Sequence, residues 1–365
     1  MRPLIEDIRR NPLFWLLVLV PVVLLAHAVN PDAHTLLFGL SVLAIVPLAA
    51  LLSRATESVA SKTGDMIGGL LNATLGNLTE LVIALTALRA GQYVLVKASI
   101  VGAIVTNTLF MLGASFLIGG LKYHVQEYNR NTARLQASLL FLATIAILIP
   151  SVLAKADEAA TDFGFMGSLS VALSVLLILA YGLGLVFSLK THSEFFSSKE
   201  QDDEHHELEW PLVLALATLA VVTLFVALVS EVFVESVQQA AVELGMTPAF
   251  VGVVIVALVG GAAEMVSAFS AASKNRLDLS VGIALGSAAQ IALFVAPVLV
   301  LVSYLIGPKP MDLQFWGGAV TMMLIAAMTA SLVTNAGRSA WFGGALMLAV
   351  YISFAMTLYL LPPRT

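Results

Sequence analysis

The chain has 365 residues, of which 59% are hydrophobic and 11% are charged, with no cysteine and a formal net charge of −5 at pH 7. Soluble domains carry about 25% charged residues, so this composition excludes a soluble globular protein and indicates an integral membrane protein. The lack of cysteine excludes disulfides, thiol catalysis and thiolate metal sites. Long apolar runs recur along the whole chain and predict membrane-spanning α-helices rather than a β-barrel.

Hydropathy predicts eleven membrane spans, so we expect an all-α polytopic membrane protein. The first span follows three arginines and resembles a signal sequence. It lacks a clear small-residue cleavage site before Asn30, so we interpret it as a retained helix. The predicted spans are residues 12–29, 34–62, 65–88, 95–121, 133–153, 164–189, 210–238, 248–272, 278–306, 313–334 and 339–361.

Lysine and arginine are distributed unevenly between the two sets of span ends. Of the 18 basic residues, 13 fall on the side of the N-terminus and 5 on the other side. Because basic residues accumulate in cytosolic loops, we predict a cytosolic N-terminus and a C-terminus outside. We expect the chain in a bacterial-type inner (plasma) membrane.

A repeat with an offset of 184 residues relates the two halves of the chain. The motif GNLTEL at residues 76–81 corresponds to GGAAEM at 260–265, and GAIVT at 102–106 corresponds to GSAAQ at 286–290. Five spans per repeat is an odd number, so the second repeat enters the membrane from the opposite side and the repeats are inverted. We predict an extra helix at 1–33, a first five-helix repeat at 34–190, an acidic cytosolic linker at 191–209 and a second repeat at 210–365.

Each motif places one glutamate, Glu80 or Glu264, in the middle of an apolar span. A carboxylate there is costly unless it is partnered, faces a water-filled cavity or binds a cation. No basic residue lies mid-span to pair with either, and inverted symmetry would bring the two face to face near the midplane. A neutral hydrogen-bonded acid is the structural alternative. The neighbouring residues predict broken helices with freed carbonyls, or close helix packing: Gly76, Asn77, Gly260 and Gly261.

Carboxylate, carbonyl and amide oxygens form a hard site that suits Ca²⁺ better than Mg²⁺ or soft metals. In the empty site the two like charges repel, so at least one acid would carry a proton, whereas a divalent cation favours both charged forms. Ca²⁺ and protons would therefore compete, as exchange requires. We predict Ca²⁺ as transported substrate, H⁺ as counter-ion, the lipid bilayer as partner, and neither an organic cofactor nor a nucleic acid. The sequence also allows a homo-oligomer.

Further polar residues are candidates for the ion path. Four lie at mid-depth and would complete the site or act as interhelical hydrogen-bonding groups: Thr106, Asn107, Ser287 and Gln290. Three acids near span ends would line an inner and an outer vestibule or face solvent: Glu57, Glu231 and Glu235. The six acids and two histidines of residues 200–209 lack EF-hand spacing, so we interpret them as a solvated linker, with cation sensing as the alternative.

These motifs resemble the cation/proton exchanger (CAX) family, the Ca²⁺/H⁺ antiporters of the Ca²⁺/cation antiporter superfamily. KNRLD at residues 274–278, followed by GSAAQIALF at 286–294, is especially characteristic, and the resemblance covers about residues 35–361. It implies a sodium/calcium-exchanger-like fold with Glu80 and Glu264 as the ion-binding, proton-exchanging acids. It also implies that Asn77, Ser287 and Gln290 lie around the ion.

The chain departs from the family pattern at three positions. Gly261 replaces the usual Asn, Met265 replaces a frequent His, and Ala103 replaces a common Ser. Fewer side-chain oxygens would lower the cation affinity or shift the ion preference, and loss of the His would alter the pH dependence.

The sequence therefore predicts a transporter rather than an enzyme: a Ca²⁺/H⁺ antiporter that exports Ca²⁺ from the cytosol by alternating access. The nearest alternative is a Na⁺-coupled or Mn²⁺ exchanger of the same superfamily, although the Ser/Thr-Pro-Glu motif usual in the sodium branch is absent. An intramembrane hydrolase is disfavoured because its motifs are missing, and a passive channel would show flux without proton counter-movement.

Overall fold

The computed structural model describes residues 2–63, 65–156, 163–192 and 210–361, which are almost entirely helical. A 3₁₀ segment precedes α2, and π-helical segments occur at Thr106–Met111, Phe187–Thr191, Val251–Val256 and Ile291–Val295. The helices are α1 (Arg2–Arg10), α2 (Leu19–Val29), α3 (His34–Ala60), α4 (Asp65–Leu75), α5 (Leu78–Arg89), α6 (Tyr93–Val105), α7 (Leu112–Tyr123), α8 (Arg130–Ala156), α9 (Phe163–Val186), α10 (Leu212–Glu243), α11 (Pro248–Phe250), α12 (Ala257–Gly260), α13 (Ala262–Ser273), α14 (Leu277–Gln290), α15 (Ala296–Ile306), α16 (Gly317–Thr334) and α17 (Trp341–Leu360).

In this part of the chain, nine helices are long and apolar enough to cross a membrane, and one bent helix pair raises the number to ten. They reproduce the predicted spans to within a few residues and confirm a helical polytopic protein. The count differs from eleven at predicted span 65–88, where α4 has 11 residues and α5 has 12. At about 1.5 Å per residue, neither crosses a core of about 30 Å alone. The helix is interrupted at Gly76 and Asn77, where the sequence indicated a break.

Two short strands add to the predicted all-helical fold within the described ranges. β1 (Val125–Glu127) and β2 (Arg338–Ala340) pair antiparallel, with Val125 opposite Ala340. The acidic residues 200–209 and most of the predicted linker lie outside the described residues, so the structure does not test that interpretation.

The 184-residue offset reappears in the helix bounds. α5 and α13 both have 12 residues, and both bounds of α13 are those of α5 shifted by 184. α14 begins 184 residues after α6, and α15 begins 184 residues after α7. This agreement supports a duplicated backbone plan, while the outer boundaries of the repeats stay a prediction.

The chain packs as two compact units, and this division by contacts is separate from the predicted repeats. Unit 1 contains Met1–Thr86, Leu185–Met246 and Val259–Ala263; unit 2 contains Ala87–Gly184, Thr247–Leu258 and Glu264–Thr365. Each unit therefore takes segments from both halves of the sequence.

In unit 1, the long helices α3 and α10 pack along one another, and the extra helix α2 packs against both. Phe38 stacks on Phe233 with ring centroids 5.5 Å apart. The short helix α1 is anchored by Asp7, whose Oδ2 accepts hydrogen bonds from Arg54 Nε at 3.4 Å and Trp210 Nε1 at 2.9 Å. The N-terminal segment is thereby fixed to α3 and to the chain just before α10.

In unit 2, α6 crosses the π-helical segment Val251–Val256 at backbone contact distance. A Cβ added to Gly102 would lie 2.5 Å from the carbonyl oxygen of Val253, and one added to Gly252 would lie 2.3 Å from Ala98 Cβ. The two segments can approach this closely only because both positions lack a side chain.

The KNRLD residues of 274–278 form the turn between α13 and α14 and the first two residues of α14 in unit 2. Asn275 has a positive φ of 62°, a conformation that asparagine tolerates better than most residues. Gln126 Nε2 donates to Asn275 Oδ1 at 2.9 Å and to the Ala272 carbonyl at 3.0 Å. The backbone N–H of Asn129 donates to Asp278 Oδ1. The motif therefore fixes how the chain enters α14.

Candidate functional site

The half-site around Glu80 lies in unit 1, where the chain turns between α4 and α5. Gly76 and Asn77 form the turn, and Asn77 is buried. Glu80 is the third residue of α5 and is partly buried. Unpaired backbone N–H groups and the positive end of the helix dipole favour a negative charge in this first turn.

Glu80 lies directly against Gly260, the last residue of α12. A Cβ placed on Gly260 would be 2.9 Å from Glu80 Cγ and 3.6 Å from Glu80 Oε1. A side chain at position 260 would therefore displace the glutamate. The structure thus brings together one residue from each of the two related motifs.

The half-site around Glu264 repeats this geometry along the chain. α12 ends at Gly260, the chain turns at the buried Gly261, and α13 begins one residue later. The helical segments Pro248–Gly260 and Ala262–Ser273 are bent by 62°. Glu264 is the third residue of α13, as Glu80 is of α5. Glu80 belongs to unit 1 and Glu264 to unit 2, so the facing of the two carboxylates stays a prediction.

Two of the predicted mid-span polar residues contact each other in unit 2. Asn107 Nδ2 donates a hydrogen bond to Ser287 Oγ at 2.8 Å. Both side chains are buried, with exposures of 2% and 5%. A buried bond of this kind satisfies polar groups that would otherwise be costly, and it joins α14 to the π-helical segment that follows α6.

The other two mid-span residues, Thr106 and Gln290, each meet a tyrosine. The Thr106 hydroxyl donates to Tyr351 Oη at 3.4 Å, and Gln290 Nε2 donates to Tyr181 Oη at 3.1 Å. Thr106 is the first residue of a π-helical segment, and Gln290 immediately precedes another. π-helical turns are frequent at functional sites. The sequence analysis missed both tyrosines, although a hydroxyl within an apolar span signals a need for a hydrogen-bond partner.

The three predicted vestibule acids are exposed side chains of unit 1. Glu57 Oε1 accepts a hydrogen bond from the Ser53 hydroxyl at 3.4 Å. Glu235 Oε2 lies 3.0 Å from His27 Nε2 on the extra helix α2, a pair that the sequence did not indicate. Glu231 precedes Glu235 by one helical turn on α10. Exposure fits a vestibule and a solvated face equally, so the vestibule role stays a prediction.

The donors available to a cation are oxygens from the backbone and from scattered side chains. Among the described residues, no group of three or more His, Cys, Asp or Glu side chains could hold a metal ion. The arrangement around each break instead offers one carboxylate, the carbonyl end of one helix and the amide end of the next. Such broken helices are the usual ion-binding elements of inverted-repeat transporters, and Ca²⁺ tolerates irregular coordination by oxygens.

Two known proteins and one solved structure are similar to this chain over nearly its whole length. The Ca²⁺/H⁺ antiporter of Aphanothece halophytica is 39% identical over 97% of this chain and 98% of its own. The Ca²⁺/H⁺ antiporter ChaA of Bacillus subtilis is 40% identical over 96% of this chain and 100% of its own. A solved structure described as native YfkE superposes with a TM-score of 0.83 and 36% identity, covering 96% of this chain and 100% of that one. The family described as "Sodium/calcium exchanger protein" matches residues 33–190 and 214–360.

Proposed function

Because the chain belongs to the sodium/calcium exchanger protein family, we propose that it is a Ca²⁺/H⁺ antiporter that exports Ca²⁺ from the cytosol. Two antiporters of that description are 39% and 40% identical to it over nearly the full length of each chain. The structural observation that carries the proposal is the pair of broken helices, each with a glutamate as third residue after the break.

In the proposed mechanism, Glu80 and Glu264 bind Ca²⁺ while both carboxylates are charged. Without the cation, burial and mutual repulsion favour binding of protons instead. The site therefore holds Ca²⁺ or protons but not both. A transporter that changes the exposure of its site only when one of the two is bound exchanges one for the other across the membrane.

The contact made by Glu80 and the matching helix positions of Glu80 and Glu264 support their assignment to the ion site. The Gly260 backbone provides room for Glu80, and the first turn of each short helix favours a negative charge. The hydrogen bond from Asn107 to Ser287 orders two further oxygen-bearing side chains on the helices that follow. We assign these residues, with Asn77, Thr106 and Gln290, to the surroundings of the ion.

We place the N-terminus in the cytosol and the C-terminus outside, in a bacterial-type plasma membrane, from the distribution of basic residues. The chain has no cysteine, so single cysteines can report the orientation. Glu6 and Lys309 are both exposed and lie at predicted inner and outer ends. With a membrane-impermeant maleimide, K309C should react in intact cells and E6C only after lysis. The reverse pattern would overturn the orientation.

The coupling is tested by Ca²⁺ uptake into proteoliposomes that are acidic inside, repeated with a Na⁺ gradient in place of the proton gradient. We expect uptake that collapses with a protonophore and ignores Na⁺. The KM for external Ca²⁺ should rise as the external pH falls, because protons occupy the carboxylates that Ca²⁺ needs. Uptake that follows the Na⁺ gradient, or that proceeds without proton movement, would contradict proton antiport.

A further inference from the structure

Tyr181 and Tyr351 form a matched pair in unit 2. Tyr181 lies on α9, the last helix of the first predicted repeat, and accepts a hydrogen bond from Gln290 on α14 of the second. Tyr351 lies on α17, the last helix of the second predicted repeat, and accepts from Thr106 of the first. In each predicted repeat, a tyrosine on the last helix therefore accepts a hydrogen bond from the other repeat. The two donors, Thr106 and Gln290, occupy equivalent positions, 184 residues apart.

A phenylalanine four residues after the polar residue holds each tyrosine ring. The ring centroids of Tyr181 and Phe294 are 5.4 Å apart, and those of Tyr351 and Phe110 are 5.1 Å apart. Phe110 and Phe294 are themselves related by the 184-residue offset. Because aromatic pairs at such distances are mutually stabilising, each hydroxyl is held at a fixed place beside its polar partner.

The hydrogen bond to Tyr181 engages the nitrogen of the Gln290 amide. The nitrogen and the oxygen of an amide point in different directions, so this bond directs Oε1 away from the tyrosine. A Ca²⁺ ion binds oxygen, whereas the N–H groups of an amide repel a cation. If the amide rotated by half a turn, it would present its N–H groups to the ion instead of Oε1.

We propose that Tyr181 is a positioning residue of the cation site, which holds the Gln290 amide in the orientation that presents its oxygen to Ca²⁺. This inference rests on the proposed function, because it assigns a role within the same site. Tyr351 does the same for Thr106 with less effect, because the separation of 3.4 Å is longer and lies beyond the usual range of hydrogen-bond distances between hydroxyl groups.

The first test is Y181F, which keeps the ring and its contact with Phe294 but removes the acceptor oxygen. We expect the KM for Ca²⁺ to rise about 5-fold, the change typical of one lost hydrogen bond, with Vmax and the unfolding temperature close to those of the wild type. Y351F should raise the KM less. The matched control is Y304F, which removes the same oxygen from a tyrosine on α15 that is 49% exposed, and it should leave the KM unchanged.

A double-mutant cycle distinguishes positioning from general packing. Q290A should raise the KM, and adding Y181F to Q290A should cause no further rise, because Tyr181 acts through Gln290. An unchanged KM in Y181F, or additive effects in the double variant, would overturn the inference. Wild-type uptake that follows the Na⁺ gradient rather than the proton gradient would overturn the proposed coupling but not the role of Tyr181. The KM for Ca²⁺, which tests that role, is measured in the same vesicles under either gradient.

Discussion

Residues 76–111 and 260–295 follow the same backbone plan with different side chains. Each begins with a break, continues with a 12-residue helix that has glutamate at its third position, and reaches a π-helical segment after the next helix. The polar positions differ in several equivalent pairs, among them Asn77 and Gly261, Ala103 and Ser287, Thr106 and Gln290, and Asn107 and Ile291. The duplication therefore preserves the two acids, while the remaining side-chain oxygens are distributed unequally.

The two segments also differ in how tightly they pack. In the most apolar stretch of Tyr93–Tyr123, 83% of the residues are buried, against 56% of the residues in that of Leu277–Ile306. Gly102 is in backbone contact with Val253, whereas its counterpart Gly286 would place a Cβ no closer than 3.6 Å to a described atom, Gln136 Nε2. The equivalent glycines thus have different roles. Gly102 permits a close helix crossing, whereas a side chain at Gly286 would make only an ordinary van der Waals contact.

The largest expected effect concerns the feature that the two segments share. E80Q and E264Q should each reduce exchange below about 1% of wild type, a loss of about 2.8 kcal/mol or more, because glutamine can neither carry the exchanged proton nor supply a negative charge. Ca²⁺ uptake in acid-inside proteoliposomes measures this loss. Retained exchange in either variant, with the other inactive, would break the functional equivalence of the two acids.

The next effect concerns the packing difference between the equivalent glycines. G102A should lower the unfolding free energy by about 1–3 kcal/mol or more, because the new methyl group would overlap the backbone at Val253. G286A should change it by less than about 0.5 kcal/mol, as is usual for substitutions that create no clash. Thermal unfolding in detergent compares the two, and equal losses would contradict the asymmetry.

A third effect concerns the contact between Gly260 and Glu80. G260A should raise the KM for Ca²⁺ about tenfold, or about 1.4 kcal/mol, because the methyl group pushes the glutamate aside while the fold is kept. G282A on α14 is the control, since a Cβ there would meet nothing within 4 Å. A wild-type KM in G260A would show that the position of Glu80 does not matter for binding.

The smallest effects concern the unequal hydroxyl groups. S287A removes the acceptor of the Asn107 hydrogen bond and should raise the KM for Ca²⁺ about 3-fold, the magnitude of a modest hydrogen bond. A103S restores the missing hydroxyl in the first repeat and should change the KM by less than about twofold. A larger rise of the KM in A103S than in S287A would contradict the roles assigned to these two equivalent positions.

The main architecture could be predicted from sequence because two of its features are visible there: the energetic cost of a charge in an apolar span, and the repeat of the motifs at a fixed offset. A glutamate within an apolar span is costly, so Glu80 and Glu264 stand out, and the 184-residue offset anticipates the helix bounds of α5 and α13. The contact of Glu80 with Gly260 was not predictable, because hydropathy does not record which distant residues touch.

The two tyrosines were missed for a related reason. Tyr181 and Tyr351 are 170 residues apart, so the 184-residue offset does not pair them, and a tyrosine in an apolar span resembles ordinary packing. The pair formed by His27 and Glu235 joins the extra helix, which has no counterpart in the repeat, to α10. Only the structure could assign these partners.

The measurement that tests the central claim most directly is proton release during Ca²⁺ binding by the purified protein in weakly buffered solution. If Ca²⁺ and protons compete for Glu80 and Glu264, the wild type releases protons as it binds Ca²⁺, and E80Q and E264Q lose both the release and the wild-type affinity. Wild-type binding of Ca²⁺ without proton release, or wild-type affinity and release in either variant, would contradict the account.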